Sequence, residues 1–347
     1  MPDRLAHSRV VRFQETGAPA VLRIEEEPTR VPAADEVLIR VEAIGLNRAE
    51  AAFRAGQYFE QPEFPARIGY EASGRVIAVG DGVGGFAPDD AVCVLPGFSM
   101  SRYGVYGDWA LVPADVLIKR PPGMSAETGA SVWMAYLTAY GAIVGLAGVG
   151  EGDAVVITAA SSSVGIAAIQ LCRLVGAIPI ALTRDPDKAD ALRAQGANTV
   201  VVGTAETAIE AVVEATAGRG ARLVFDPVAG PSVQSLAEMV APGGLMVLYG
   251  NLSGQAADTP FPFYAAVGKG FAIRGYLVFE LIRDKARLDE AVRFIARGVA
   301  EGQLNPLIAK SFSLDEIVAA HRYLESNQQI GKIVVTTGSE SHGRMMS

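Results

Sequence analysis

Between residues 9 and 45 apolar and polar positions alternate with a period of two, the pattern of strands with one buried face. Residues 10–13, 21–24 and 37–44 each fit a strand, separated by Gly17-Ala-Pro19 and by a loop over 28–35. Further runs at 72–79, 91–95 and 109–112 leave no room for crossover helices between them, which predicts an antiparallel, β-rich lobe. Beyond Pro121-Pro-Gly123 the period changes. Short apolar runs at 155–157, 178–182, 200–202, 222–226 and 244–249 alternate with helical spacings at 164–175, 189–195, 205–217 and 233–240, several closed by glycine. That alternation predicts a parallel sheet with helices on both faces, with 271–276 as its last strand. Residues 283–297 then form an amphipathic helix, and Ser313-Leu-Asp-Glu316 has capping-box spacing for a helix through Leu324. A closing strand over 331–336 returns to the first lobe, and the polar tail 337–347 is expected to be disordered.

The stretch 153–185 organises the second half. It reads as strand, small-residue turn, helix and second strand, a βαβ unit of dinucleotide-binding length. Where a Gly-x-Gly-x-x-Gly fingerprint would lie, the chain has Ala159, Ser162 and Gly165. All are small, so the backbone can still approach a pyrophosphate, and the unpaired first helical amides suit one. On its own this turn fits a cofactor loop and an ordinary βα turn equally.

Composition narrows the class. A chain of 347 residues suggests two domains, and a 50% apolar, 20% charged balance supplies ample core. A net charge of −8 argues against a nucleic-acid or anionic-membrane partner. Two cysteines, Cys93 and Cys172, far apart in sequence, fit a reducing compartment such as the cytoplasm. No apolar leader is visible at the N-terminus. Residues 128–150 carry no charge, and their glycines and tyrosines read as a buried helix and turn rather than a membrane span.

In order and spacing, the chain resembles the medium-chain dehydrogenase/reductase superfamily, and within it the zinc-free quinone oxidoreductases. The motifs are Ile44-Gly-Leu-Asn47, Arg54-Ala-Gly-Gln-Tyr58, the run from Gly69 to Gly80, Leu137-Thr-Ala-Tyr140, Val164 to Gln170, Asp226-Pro-Val-Ala-Gly230, Gly244 to Asn251, and Gly331-Lys-Ile-Val-Val335. The resemblance implies an α/β chain: a doubly wound Rossmann sheet over 128–275, and a GroES-like β-rich catalytic domain split between 1–127 and 276–347. It also implies a homodimer joined along the 271–276 edge.

Metal-dependent relatives hold a zinc where this chain has Asn47 and Tyr70, both poor ligands, and no four-cysteine lobe is present near Cys93. No metal site is expected. Hydride transfer without a Lewis acid favours acceptors that are already electrophilic, quinones or enones. The second strand of the βαβ unit ends at Thr183, which is not acidic, and Arg184 and Lys188 can pair with a 2′-phosphate; NADPH is the expected cofactor. Asp185 reads as an N-cap before Pro186. Ser161, Ser162, Ser163 and Val164 form the cofactor turn, and Gly250 and Asn251 follow a strand at its carboxyl end, where ligands bind in such sheets.

Asn47 and Thr138 match family positions beside the nicotinamide; Tyr58 matches a tyrosine that helps protonate substrate in enoyl-thioester reductases, and acts here as acid or as wall. Glu71 reads as structural, and Tyr70 and Tyr136 as core or interface packing ahead of lining the cleft. The main expectation is a reductase of quinones or α,β-unsaturated carbonyls. The alternatives are a 2-enoyl thioester reductase and a non-catalytic NADPH-binding, crystallin-like protein.

Overall fold

A computed structural model describes residues 7–338. The chain divides into two compact units, Met1–Met134 with Ile308–Ser347, and Ala135–Leu307.

The first unit is built on the strand Glu36–Leu46, which is buried along almost its whole length. It pairs antiparallel with Glu71–Val79, Trp109–Pro113 and Lys332–Thr336. Ala91–Val94, Leu117–Lys119 and Ile308–Ser313 complete a seven-stranded sheet. A smaller sheet orders Arg23–Pro28, His7–Phe13 and Ala66–Arg67. The second strand starts later than its apolar run predicts, because Pro19 opens a 3-10 turn over Pro19–Val21. Pairing with His7–Phe13 then carries the polar Glu25–Glu27 stretch into the strand. The closing strand returns as expected, and the Thr337 hydroxyl donates to the Val41 carbonyl at 2.6 Å. The remainder of the tail, from 339 on, lies outside the described residues.

The second unit is a six-stranded Rossmann sheet ordered Thr199–Val202, Ile178–Thr183, Ala154–Ile157, Ala221–Asp226, Val240–Leu248, Ala272–Gly275, parallel throughout. The inner strands carry continuous apolar runs because helices cover both faces: Val155, Val156, Ile157, Leu223, Val224 and Phe225 are all fully buried. Strand order reverses between Ala154–Ile157 and Ala221–Asp226, so the carboxyl ends there open a crevice for a ligand.

Two boundaries shift from the sequence reading. The segment 276–307, assigned above to the first lobe, packs with the second unit: the Phe294 ring lies 5.2 Å from that of Tyr140, and Gly298 sits against Leu304 and Leu174. At the other end, the start of the helix Ala126–Tyr140 belongs to the first unit. This helix continues into a six-residue π-helical turn, Gly141–Leu146. The combined run is long and apolar enough to cross a membrane, but most of it is buried inside the fold. Gly141 makes room for the Tyr276 phenol, since a Cβ there would stand 2.0 Å from the hydroxyl and displace it.

Candidate functional site

In the first unit a buried polar network gathers at the end of Glu36–Leu46. Asn47 caps the helix Arg48–Arg54, and its main-chain N–H donates to Glu50 Oε2 at 2.8 Å. Its side-chain Nδ2 donates to Gly45 O at 3.1 Å and Glu50 Oε1 at 3.3 Å. Its Oδ1 accepts from Lys332 Nζ at 2.6 Å, and the same ammonium pairs with Glu71 Oε2 at 2.5 Å. The other Glu71 oxygen accepts from Met134 N at 3.0 Å, and Tyr70 N donates to Glu50 Oε1 at 3.1 Å. Glu50, Glu71 and Lys332 are all buried. Burial pushes the Glu50 carboxyl up to about 7, against the pull of Lys332. The approach is so close that a Cβ on Gly45 would stand 1.8 Å from the Ala130 carbonyl oxygen. Both the amide nitrogen and the amide oxygen of Asn47 are thus already engaged within the protein.

Tyr58 lies in the loop after this helix, its ring 6.3 Å from that of Tyr70. Burial pushes its hydroxyl up to about 12, with the Tyr70 hydroxyl working against the shift. Tyr58 is therefore protonated at neutral pH and can act as an acid, not as a base.

In the second unit, Ser162 caps the helix Ser163–Leu174, and its hydroxyl accepts from Gly165 N at 3.0 Å. Gly165 cannot be replaced without movement, since a Cβ would stand 2.4 Å from Ala160 O. The turn begins at Ala159 in the left-handed region, φ 45°. Lys188 arrives from beyond the next strand, and its Nζ donates to Ser161 Oγ at 3.4 Å. Burial lowers the Lys188 pKa; Asp185 opposes that shift and Arg184 adds to it. Thr183 is buried at the strand end and brackets the turn with two bonds to the Asp185 backbone, both 3.2 Å. Arg184 is exposed. Asp185 is the N-cap that sequence predicts, its carboxylate accepting from Asp187 N at 3.0 Å. Gly250 and Asn251 follow Val240–Leu248; Asn251 Oδ1 accepts from Ala256 N at 3.1 Å and holds that loop. Thr138 is buried near the end of Ala126–Tyr140.

Known proteins agree with this layout. The alcohol dehydrogenase GroES-like domain model matches residues 33–122 and the zinc-binding dehydrogenase model residues 163–297. A Burkholderia 2-haloacrylate reductase is 29% identical over 329 residues, spanning 93% of this chain and 97% of that protein. A Pseudomonas aeruginosa quinone oxidoreductase is 28% identical over 328 residues, spanning 94% and 98%. An Escherichia coli quinone oxidoreductase solved with NADPH superposes with a TM-score of 0.88 at 26% identity, over 95% of this chain and 100% of that one. An NAD-dependent alcohol dehydrogenase superposes with a TM-score of 0.87 at 31% identity and the same coverage. The chain belongs to the medium-chain dehydrogenase/reductase superfamily.

Within that superfamily it is a quinone oxidoreductase-like member, an oxidoreductase with a GroES-like and a Rossmann domain. One matching model is named for zinc, and the residues here do not fit that ion. At the superfamily's zinc-binding places Asn47 offers an amide whose oxygen is held by an ammonium, and Tyr70 a phenol whose pKa burial raises. A divalent ion beside them would face Lys332, itself a cation, on the same Glu71 oxygen. Among the described residues no group of three or more His, Cys, Asp or Glu side chains is placed to hold a metal. A nicotinamide coenzyme fits better: the small-residue turn, the open helix N-terminus and the paired cations Arg184 and Lys188 all sit at the crevice end of one sheet.

Several residues here were not singled out from sequence. Lys332 and Glu50 complete the Asn47 network. Asp226 is fully buried at the switch point, where it accepts from the Thr158 hydroxyl and from Ala229 N at 2.7 Å. Tyr249 stacks on Phe225 at 4.0 Å. A carboxylate ending an apolar strand, as in Phe225-Asp226-Pro227, and the three-residue cap spacing from Asn47 to Glu50 are the local signals that sequence offers for these. Glu71 holds the lobe, as its place beside Gly69 suggests. Tyr136 is core: its hydroxyl donates to Gln170 Oε1 at 2.6 Å, and Gln170 also accepts from Asn305 N at 2.8 Å.

Proposed function

We propose that this protein is an NADPH-dependent oxidoreductase that reduces quinones or α,β-unsaturated carbonyl compounds by metal-free hydride transfer. The observation that carries this reading is Lys188 meeting Ser161 at the turn while Asp185 is spent on its cap. Two cations at the strand end, beside an Asp185 carboxylate that already caps the following turn, suit a 2′-phosphate better than a ribose hydroxyl. The amides of Ser163 and Val164, in the first helical turn, would take the pyrophosphate, and Gly250 and Asn251 would border the nicotinamide ribose. When bound, the reduced cofactor supplies the hydride. The family resemblance assigns Asn47, Thr138 and Tyr58 to the reacting end, and Tyr58, protonated at neutral pH, is the candidate acid. Lys332 supports the metal-free half, since the one strong positive charge in the network belongs to the chain.

The test mixes the protein with NADPH and a panel of quinones and enones and follows loss of the reduced cofactor's absorbance; flat traces throughout sink the reading. Lys188→Ala should weaken NADPH by about 2 kcal/mol, roughly thirtyfold in Kd, and barely touch NADH. Isothermal titration with both cofactors measures that difference.

The same reading includes a homodimer in the cytoplasm. The edge strand Ala272–Gly275 pairs only with Val240–Leu248 among the described residues. Beside it the helix Phe263–Lys269 exposes Tyr264 by 89% and Val267 by 65%. An open edge with apolar neighbours needs cover. Tyr264→Asp should shift the mass in light scattering from dimer to monomer; an unchanged dimer places the contact elsewhere. Both cysteines are buried and free, in keeping with a reducing compartment.

A further inference from the structure

Three arginines face one another across the smaller sheet of the first unit. Arg12, on His7–Phe13, stands directly opposite Arg23 on one side and Arg67 on the other. Like charges directly opposed in a ladder repel, so such a row needs counter-charge. Among the described residues one carboxylate supplies it. Glu27 pairs with Arg67 Nη1 at 2.5 Å through one oxygen and with Arg12 Nη2 through the other. The next acid on that strand face, Glu25, accepts instead from Gln14 Nε2 at 3.3 Å. Arg67 is the most enclosed of the row, with 9% of its side chain exposed. Burial lowers its pKa first; Glu27 opposes that shift, and the charges of Arg12 and Arg30 add to it.

A cavity of about 20 Å³ lies against this cluster, above the about 10–15 Å³ that one water needs. Glu27, Thr29, Arg30 and Arg67 form its polar wall, and Leu38 and Trp109 stand on the apolar side. Two buried donors of that polar wall are unmet: Arg67 Nε and the Thr29 hydroxyl have no hydrogen-bond partner among the described residues. A buried donor left without an acceptor costs stability, most of all on a charged group.

We infer that this cavity is a binding site for one small monovalent anion, a halide such as chloride, held by Arg67 and Thr29. Charge decides between an anion and a water. Arg12, Arg30 and Arg67 share a single carboxylate whose two oxygens are both engaged. A water would meet the two donors and leave the positive surplus in place; a halide meets the donors and offsets the surplus. Size decides among anions, since a tetrahedral oxyanion carries four oxygens, each as large as the water the cavity admits. Leu38 and Trp109 belong to strands of the seven-stranded sheet, so an occupant fastens the two sheets of this unit together. The site stands apart from the proposed cofactor and does not depend on it.

The test follows thermal unfolding of the full chain while chloride replaces gluconate at constant ionic strength. Wild type should melt higher as chloride rises and then level off, because a ligand that binds only the folded chain stabilises it by mass action. Thr29→Val keeps the side chain's shape and removes its hydroxyl, and should raise the chloride concentration at half effect about tenfold. Arg67→Lys keeps the charge but loses the Nε donor, and should move it in the same direction. Crystals grown in bromide, measured at the bromine absorption edge, should show an anomalous peak beside Arg67. A melting point indifferent to chloride, an equal response in wild type and Thr29→Val, or a bromide crystal without that peak each overturns the site and leaves water as the occupant.

Discussion

Lys332→Met should destabilise the first unit by about 3–5 kcal/mol, because it strips the counter-charge from a buried carboxylate and leaves the other partners in place. Glu71 is fully buried, and its ion pair with Lys332 is the only salt bridge it makes among the described residues. Asn47 Oδ1 would lose the same donor. The wild-type pair is not thereby worth that much. Desolvating two ions offsets most of their attraction, so the loss measures an orphaned charge rather than a strong bond. The double variant Lys332→Met with Glu71→Leu should therefore recover much of the deficit, and a double-mutant cycle from urea unfolding separates the two contributions. A single variant unfolding at the wild-type midpoint would show that Glu71 finds another partner. Lys332→Arg keeps the charge but needs more room, and should fall between the two.

Acid should unfold the wild type sooner than a His321→Leu variant, and the gap should widen as pH falls. His321 is fully buried, and neither ring nitrogen finds a hydrogen-bond partner among the described residues. Its neighbours are the Tyr106 ring, 5.8 Å away, and the guanidinium of Arg54. Burial first, and Arg54 second, push its pKa down from 6.5 to about 3. The unfolded chain accepts the proton below about 6.5 while the folded chain refuses it until about 3. His321 therefore costs no stability above 6.5, and its cost grows by about 1.4 kcal/mol per pH unit below it. Glu50 works the other way. Its folded carboxyl keeps a proton up to about 7 against an ordinary 4.5, so its contribution is present below 4.5 and is lost as pH rises to 7. Between 4.5 and 6.5 the two slopes oppose each other, and the His321 contribution is best seen as the difference between variant and wild type. Chemical unfolding at several pH values measures it; parallel curves would mean that the histidine titrates normally.

The parts of this molecule legible in its sequence are those whose causes are local. Val155 to Ile157 and Leu223 to Phe225 read as buried strands because each run is apolar throughout. Asp185 reads as a cap because a proline follows it, and Ser313 because Glu316 lies three residues on; the structure has both. Asn47 and Glu50 share that spacing, but the helix they open has seven residues, too few for an apolar period to show. Lys332 is different in kind. In a strand bounded by glycine it looks like an ordinary solvated lysine, and its partner lies 261 positions away. The segment 276–307 is likewise opaque: its amphipathic helix announces a buried face but not which unit receives it. Pairings that close only in space leave no mark on spacing or composition.

The π-helical turn after Tyr140 carries a practical consequence for any test of the proposed subunit contact. Tyr276 follows the outermost strand directly, and its phenol rests where Gly141 lacks a side chain. Thr138 is less than one helical turn upstream of that glycine. Substitutions at Tyr276 made to test the proposed self-association would therefore also alter the packing against Gly141, and changed turnover in such variants should not be credited to oligomeric state alone.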